Sequence, residues 1–138
     1  MDRIERWIKR QIAYAVRGGL GQWVDSQESS LGKPIYRVTN GPVTLVLSQM
    51  GFIYDGVSPH FECRYDEVEA LNLATLPELM RGMYHEPRVL TIGVILWGVS
   101  TRHDLQLPTR VYCDVATLLA RIVRSPPGTR PGDNGRLI

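Results

Sequence analysis

Apolar positions recur at helical spacing near the start of the chain. Ile4, Trp7, Ile8, Ile12, Ala15 and Val16 fall on one arc of a helical wheel, with Tyr14 at its edge. Arg3, Arg6, Lys9, Arg10 and Arg17 gather on the opposite arc, and Glu5 falls inside the apolar arc near its rim. This predicts an amphipathic helix. Gly18, Gly19 and Gly21 stop it, because glycine is poor inside a helix and takes the left-handed C-cap readily. The polar run DSQESSLGKP at 25–34 is a connector that breaks before the strand region.

From residue 35 the period changes to two. Strands are predicted at 35–39 and 43–48, joined by Asn40-Gly41-Pro42, and at 52–55. At 60–65 the alternation is clean: Phe61, Cys63 and Tyr65 inward, His60, Glu62 and Arg64 outward. Residues 68–73 read as a further strand after a bend at Asp66-Glu67, and 76–83 as a short helix. Residues 88–99 form a strand rich in β-branched and large apolar side chains, in which Gly93 marks a bulge. Residues 102–107 pair back as the last strand. Pro108 stops the sheet and Thr109 serves as helix N-cap. Val111, Val115, Leu118, Leu119, Ile122 and Val123 then make one apolar stripe, opposite Asp114, Thr117, Arg121 and Arg124. The remainder, SPPGTRPGDNGRLI at 125–138, has the composition of a disordered tail.

Composition narrows the classes. The 138 residues suit one domain, and 43% hydrophobic with 22% charged residues excludes global disorder. The net charge of +2 is too small to imply nucleic-acid binding. It conceals an asymmetry. Residues 1–17 carry five basic and two acidic side chains, 124–138 three and one, and the middle eight and eleven. Basic ends on an acidic body either fold onto it or reach for an anionic partner. Cys63 and Cys113 make no disulfide framework and predict free thiols in a reducing compartment. Charges throughout 1–16 leave no apolar leader segment, and the run 91–99 is about half of the ~20 residues a membrane helix needs. A soluble, cytoplasmic protein is expected.

Chemistry-bearing residues are sparse. His60 and Glu62 share a strand face from which Cys63 points away, too few ligands for a closed zinc site. His85-Glu86 sits in a loop, and His103 and Asp104 point oppositely along a strand. Cys113, in the first turn or so of the last helix and off its apolar stripe, is the candidate reactive thiol. Cys63 reads as core. Glu62, Asp66, Glu67 and Glu69 offer paired carboxylates for acid–base work or a divalent cation, but the favoured reading is an exposed strand edge that discourages aggregation. Gly19-Leu20-Gly21 follows a helix, where a nucleotide fingerprint needs a strand, and no phosphate loop or base-stacking platform is present. No metal, cofactor or catalytic set is expected.

The segments PIYRVTNGPVTLVLSQMGFIYDG, FECRYDEVEALNL, VLTIGVILWGV and RHDLQLPTRVYCDVATLLARIV follow one another as short antiparallel strands closed by one amphipathic helix. That order, over about 34–124, resembles the pleckstrin-homology-like superfold in its small bacterial versions. The resemblance implies an α+β, mainly β fold: a barrel of about seven antiparallel strands capped by the C-terminal helix, here with an extra N-terminal amphipathic helix. Phosphoinositide binding does not carry over, because the hairpin tip Thr39-Asn40-Gly41-Pro42 has only Lys33 and Arg37 nearby. The rival fold is a cystatin-like or nuclear-transport-factor-like α+β cone, whose opening helix lies across a curved sheet. The organisation expected is helix and glycine stop at 1–24, connector at 25–34, domain at 35–124 and tail at 125–138.

The function this implies is a non-enzymatic interaction or scaffolding module that binds protein or peptide. Its docking residues are Arg3, Arg6, Trp7, Lys9 and Arg10 of the first helix, which also offers a route to self-association. Two alternatives stand beside it: a small pocket-containing enzyme or ligand-binding protein, and attachment to an anionic membrane surface through the basic amphipathic helix.

Overall fold

A computed structural model describes residues 2–56, 60–84 and 88–124. Helix α1 (Arg3–Arg17) forms where the wheel puts it, with Asp2 as N-cap accepting from the Glu5 amide at 3.1 Å. Its end is a Schellman-type closure. Leu20 N–H donates to the Ala15 carbonyl at 2.8 Å, and Gly19, not Gly18, holds the left-handed conformation at φ 85°. At Gly21 (φ 81°) a Cβ would press on the Tyr36 ring, whose hydroxyl donates to the Leu20 carbonyl at 2.7 Å. Glycine there lets the chain turn tightly into the sheet.

Eight strands among the described residues form two antiparallel sheets. The first runs β1 (Gln22–Trp23), β2 (Pro34–Asn40), β3 (Val43–Ser48), β4 (Gly51–Asp55) and β5 (Phe61–Arg64) in sequence order. After a 3-10 turn at Tyr65–Glu67 come β6 (Val68–Asn72), helix α2 (Leu76–Tyr84), β7 (Val89–Leu96) and β8 (Arg102–Pro108), the second sheet being β6-β7-β8. Helix α3 (Thr109–Arg124) follows β8 with no residue between, so Thr109 is the first helical residue and not a cap outside the helix.

The chain is therefore α+β and mainly β, but the sheets do not close into a barrel. No ladder joins β5 to β6 or β8 to β1. Two causes are visible. Strand β1 has only two residues, and the 3-10 turn breaks the ladder between β5 and β6. Side chains make the junction instead. Phe61 of β5 stacks on His103 of β8 at 4.0 Å, and Tyr54 Oη of β4 accepts the Gln106 amide of β8 at 2.9 Å. Helix α3 thus caps no barrel mouth. It packs on β6, β7, β8 and α1, while α1 packs on β2.

One core joins all of this. Ile4, Ile8, Ile12 and Ala15 of α1 lie in it with Tyr36, Leu45, Phe52, Ile92 and Leu105 of the sheets and Val111, Val115, Leu118, Leu119 and Ile122 of α3. The stripe expected on α3 is the buried one. Gly93 is not a bulge: register runs through it on both sides, and the irregularity falls at Val68/Ala70 of β6. The missing Cβ leaves space for the Arg102 side chain. The polar connector docks on the β3–β4 turn, where Met50 N–H donates to the Leu31 carbonyl and Lys33 N–H to Gln49 Oε1, both at 2.9 Å. The tail 125–138 and His85 lie outside the described residues.

Candidate functional site

The docking residues read from α1 divide when the fold is built. The apolar arc is spent on the core, and Glu5 is buried with it, held by Lys33 Nζ at 3.3 Å. An inward carboxylate needs such a partner, and the connector supplies it. Trp7 is half-buried beside α3, with the Arg3 guanidinium 5.1 Å and the Arg121 guanidinium 3.9 Å from its ring centre. Lys9 Nζ lies 4.4 Å over the Trp23 ring, so its charge is tied to β1. Arg3, Arg6 and Arg10 are exposed.

Packing α1 on α3 brings together what is separate in sequence. Arg121 and Arg124 of α3 are exposed, and Arg17 of α1 sits near the 78% exposed Tyr14, 5.9 Å from its ring centre. The two helices carry eight basic side chains against two acidic ones, and one of the two, Glu5, faces inward. Their outer surface is an arginine field interleaved with aromatic rings. Apart from Asp114 of α3, the acidic residues of the body lie on other elements. Arg64 takes Asp66 in a fork at 3.3 and 3.4 Å, and the Arg64 amide donates to Glu67 Oε1 at 2.7 Å.

Other candidates stay apart. Cys113 is exposed on α3, as the wheel suggests, while Cys63 is buried in β5. Burial raises the Cys63 thiol to about pKa 12, with Glu67 and Asp66 adding to the shift. Burial likewise raises the Tyr65 phenol, which donates to the Ser48 carbonyl at 2.7 Å. His103 is engaged by Phe61, and Asp104 pairs with Arg102. His60 meets Asp55 through Nδ1 at 3.0 Å and Glu62 through Nε2 at 2.9 Å. The carboxylates hold opposite edges of the ring and do not converge. Among the described residues no group of three His, Cys, Asp or Glu side chains is arranged for a metal ion, and no helix is long and apolar enough to cross a membrane.

Helix α2 adds a surface that went unread in the sequence. Leu76, Met80, Met83 and Tyr84 are 71%, 49%, 51% and 66% exposed. Their spacing of i, i+4, i+7 and i+8 puts them on one face, and among the described side chains of α2 only Leu79 packs on the core. That spacing is legible in the sequence; which way the stripe faces is not. Compared with known proteins, the chain matches no family model, no curated protein and no solved structure.

Proposed function

We propose that the chain is a non-enzymatic interaction module that docks an acidic segment of a protein partner on the outer face of α1 and α3. The observation that carries this is the arginine field itself: Arg3, Arg6, Arg10, Arg121 and Arg124 exposed on two helices whose apolar sides are already used. Arginine offers a planar fork that suits carboxylates, and charge complementarity selects acidic sequences and speeds their encounter. Attachment to a membrane has less support. An interfacial helix needs a free apolar face, and here Ile4, Ile8 and Ile12 are fully buried.

Charge reversal at Arg6 and Arg10 tests it. A fluorescent oligoglutamate peptide should bind the wild-type chain, weaken as salt rises, and bind Arg6→Glu/Arg10→Glu about tenfold less, since exposed pairs contribute ~0.2–1 kcal/mol each. Equal binding by the variant, or tighter binding to anionic vesicles or an oligonucleotide than to the peptide, overturns the reading.

The α2 stripe supports a second reading, self-association. Leu76 and Tyr84 lie at equal sequence distance on either side of Met80, so an antiparallel second copy would meet the same apolar row, as an isologous contact requires. Light scattering should give a mass that rises with concentration. Met80→Glu should hold the chain at monomer mass without lowering its helix content. A wild type that stays monomeric at every concentration sinks this reading.

A further inference from the structure

An open hollow lies on the outward face of the five-stranded sheet, and register fixes its floor. One row crosses the sheet as Gln22, Arg37, Val46, Ile53 and Glu62, each the cross-strand partner of the next. A second row is Thr39, Thr44 and Asp55. The turn at Gly19 and Gly21 lines the β1 rim, and His60 lines the β5 rim. The space between is ≈ 810 Å³, within the ~300–1,000 Å³ of small-molecule sites.

The charges on this face are not equivalent. Asp55 and Glu62 are engaged by His60, one on each ring nitrogen. A neutral imidazole has one donor and one acceptor, so two carboxylates are both satisfied only by the imidazolium. The bonds to Asp55 and then Glu62 raise the His60 pKa accordingly. Arg37 is exposed, and no carboxylate among the described residues pairs with it. Between the cation and the clamp lie the half-buried Val46 and Ile53, while the cross-strand pair Thr39 and Thr44 offers hydroxyls beside Arg37.

We propose that this hollow is a binding site for a small anionic amphiphile, a free medium-chain carboxylate whose head pairs with Arg37 and whose chain lies over Val46 and Ile53. It shares no residue with the α1–α3 face. The His60 clamp makes the site pH-dependent. Asp55 of β4 and Glu62 of β5 face the ring; of the two, Asp55 lines the hollow, together with Arg37 of β2. While His60 is protonated, it offsets one of the two carboxylate charges. As pH rises through its raised pKa the cation is lost, the cluster gains one further net negative charge, and its repulsion of the ligand's head grows.

Calorimetric titration of the full chain with decanoate tests this, with decanol and decyltrimethylammonium as controls. Near about pH 6 decanoate should bind saturably at one site, and both controls should bind about tenfold weaker or not at all. Arg37→Gln should cost about tenfold, and Val46→Asp should weaken binding while the circular dichroism spectrum stays unchanged. His60→Gln near about pH 6 should bind as weakly as wild type near about pH 8.5. Absence of saturable decanoate binding, decanol binding equally well, or an Arg37→Gln variant that binds as wild type overturns the site. Wild-type affinity that does not change with pH overturns the clamp's part in it.

Discussion

A chain lacking residues 1–17 is expected to lose its cooperative unfolding transition and to expose apolar surface, rather than to persist as a domain without its docking arm. Ile4, Ile8 and Ile12 are fully buried in the core that also holds the sheets and α3. Burying an isoleucine side chain contributes roughly 1.5–3 kcal/mol. Three of them rival the ~5–15 kcal/mol that holds an ordinary domain folded. The deletion would also strip α3 of its neighbour along the Trp7–Arg121 contact and leave Lys33 without Glu5. Ile8→Ala makes the same point with less damage, costing about 2–5 kcal/mol through lost burial and the void left behind. Urea unfolding followed by tryptophan fluorescence measures both. A truncated chain with a wild-type midpoint would show that α1 is an accessory to the fold and not part of it. Docking at the arginine field is thus tested by changing charges, never by deleting the helix.

Gly51→Ala is expected to destabilise the chain by about 3 kcal/mol and to lower its thermal midpoint by roughly 10 °C. Gly51 opens β4 directly opposite Arg64 of β5. A methyl group on it would overlap the Cys63 carbonyl and come within 2.8 Å of the Arg64 Cα. Both are backbone atoms of a paired strand, so relief requires the β4–β5 ladder to open. Gly93→Ala provides the contrast. Its methyl would strike the side chain of Arg102, which is 46% exposed and held only by a surface pair with Asp104, so it can swing away. The cost there should be about 1 kcal/mol or less, the scale of an ordinary surface substitution. Differential scanning calorimetry of the two variants decides the matter. Equal midpoints would mean that β5 yields as easily as an arginine side chain.

What could be read from the sequence was whatever depends on neighbours within a few residues. The 3.6-residue period at 4–16 and 111–123 located two buried helix stripes, and alternation at 61–65 sorted Phe61, Cys63 and Tyr65 inward. Glu5 stood out as an anomaly on the wheel, but its partner Lys33 lies 28 residues away. Closure of a barrel is not legible for the same reason. It depends on whether two distant strands share a ladder, and alternation within each strand carries no such information. The contacts that settle it, Phe61 on His103 and Tyr54 on Gln106, join residues 42 and 52 positions apart. The candidate surface was partly legible. Arg3, Arg6 and Arg10 were visible as a basic arc, whereas Arg121 and Arg124 became part of it only when α3 came to lie beside α1.

The phenol of Tyr54 has a consequence of its own. The main-chain proton of Gln106 that it captures points away from β7, towards the open rim of the second sheet. A rim with a spare donor invites a stray extended segment to zip onto it, the first step towards fibrils. Here one ring, sent across from the other sheet, occupies that donor on a strand whose ends are already guarded by the charged Arg102 and Asp104 and by Pro108.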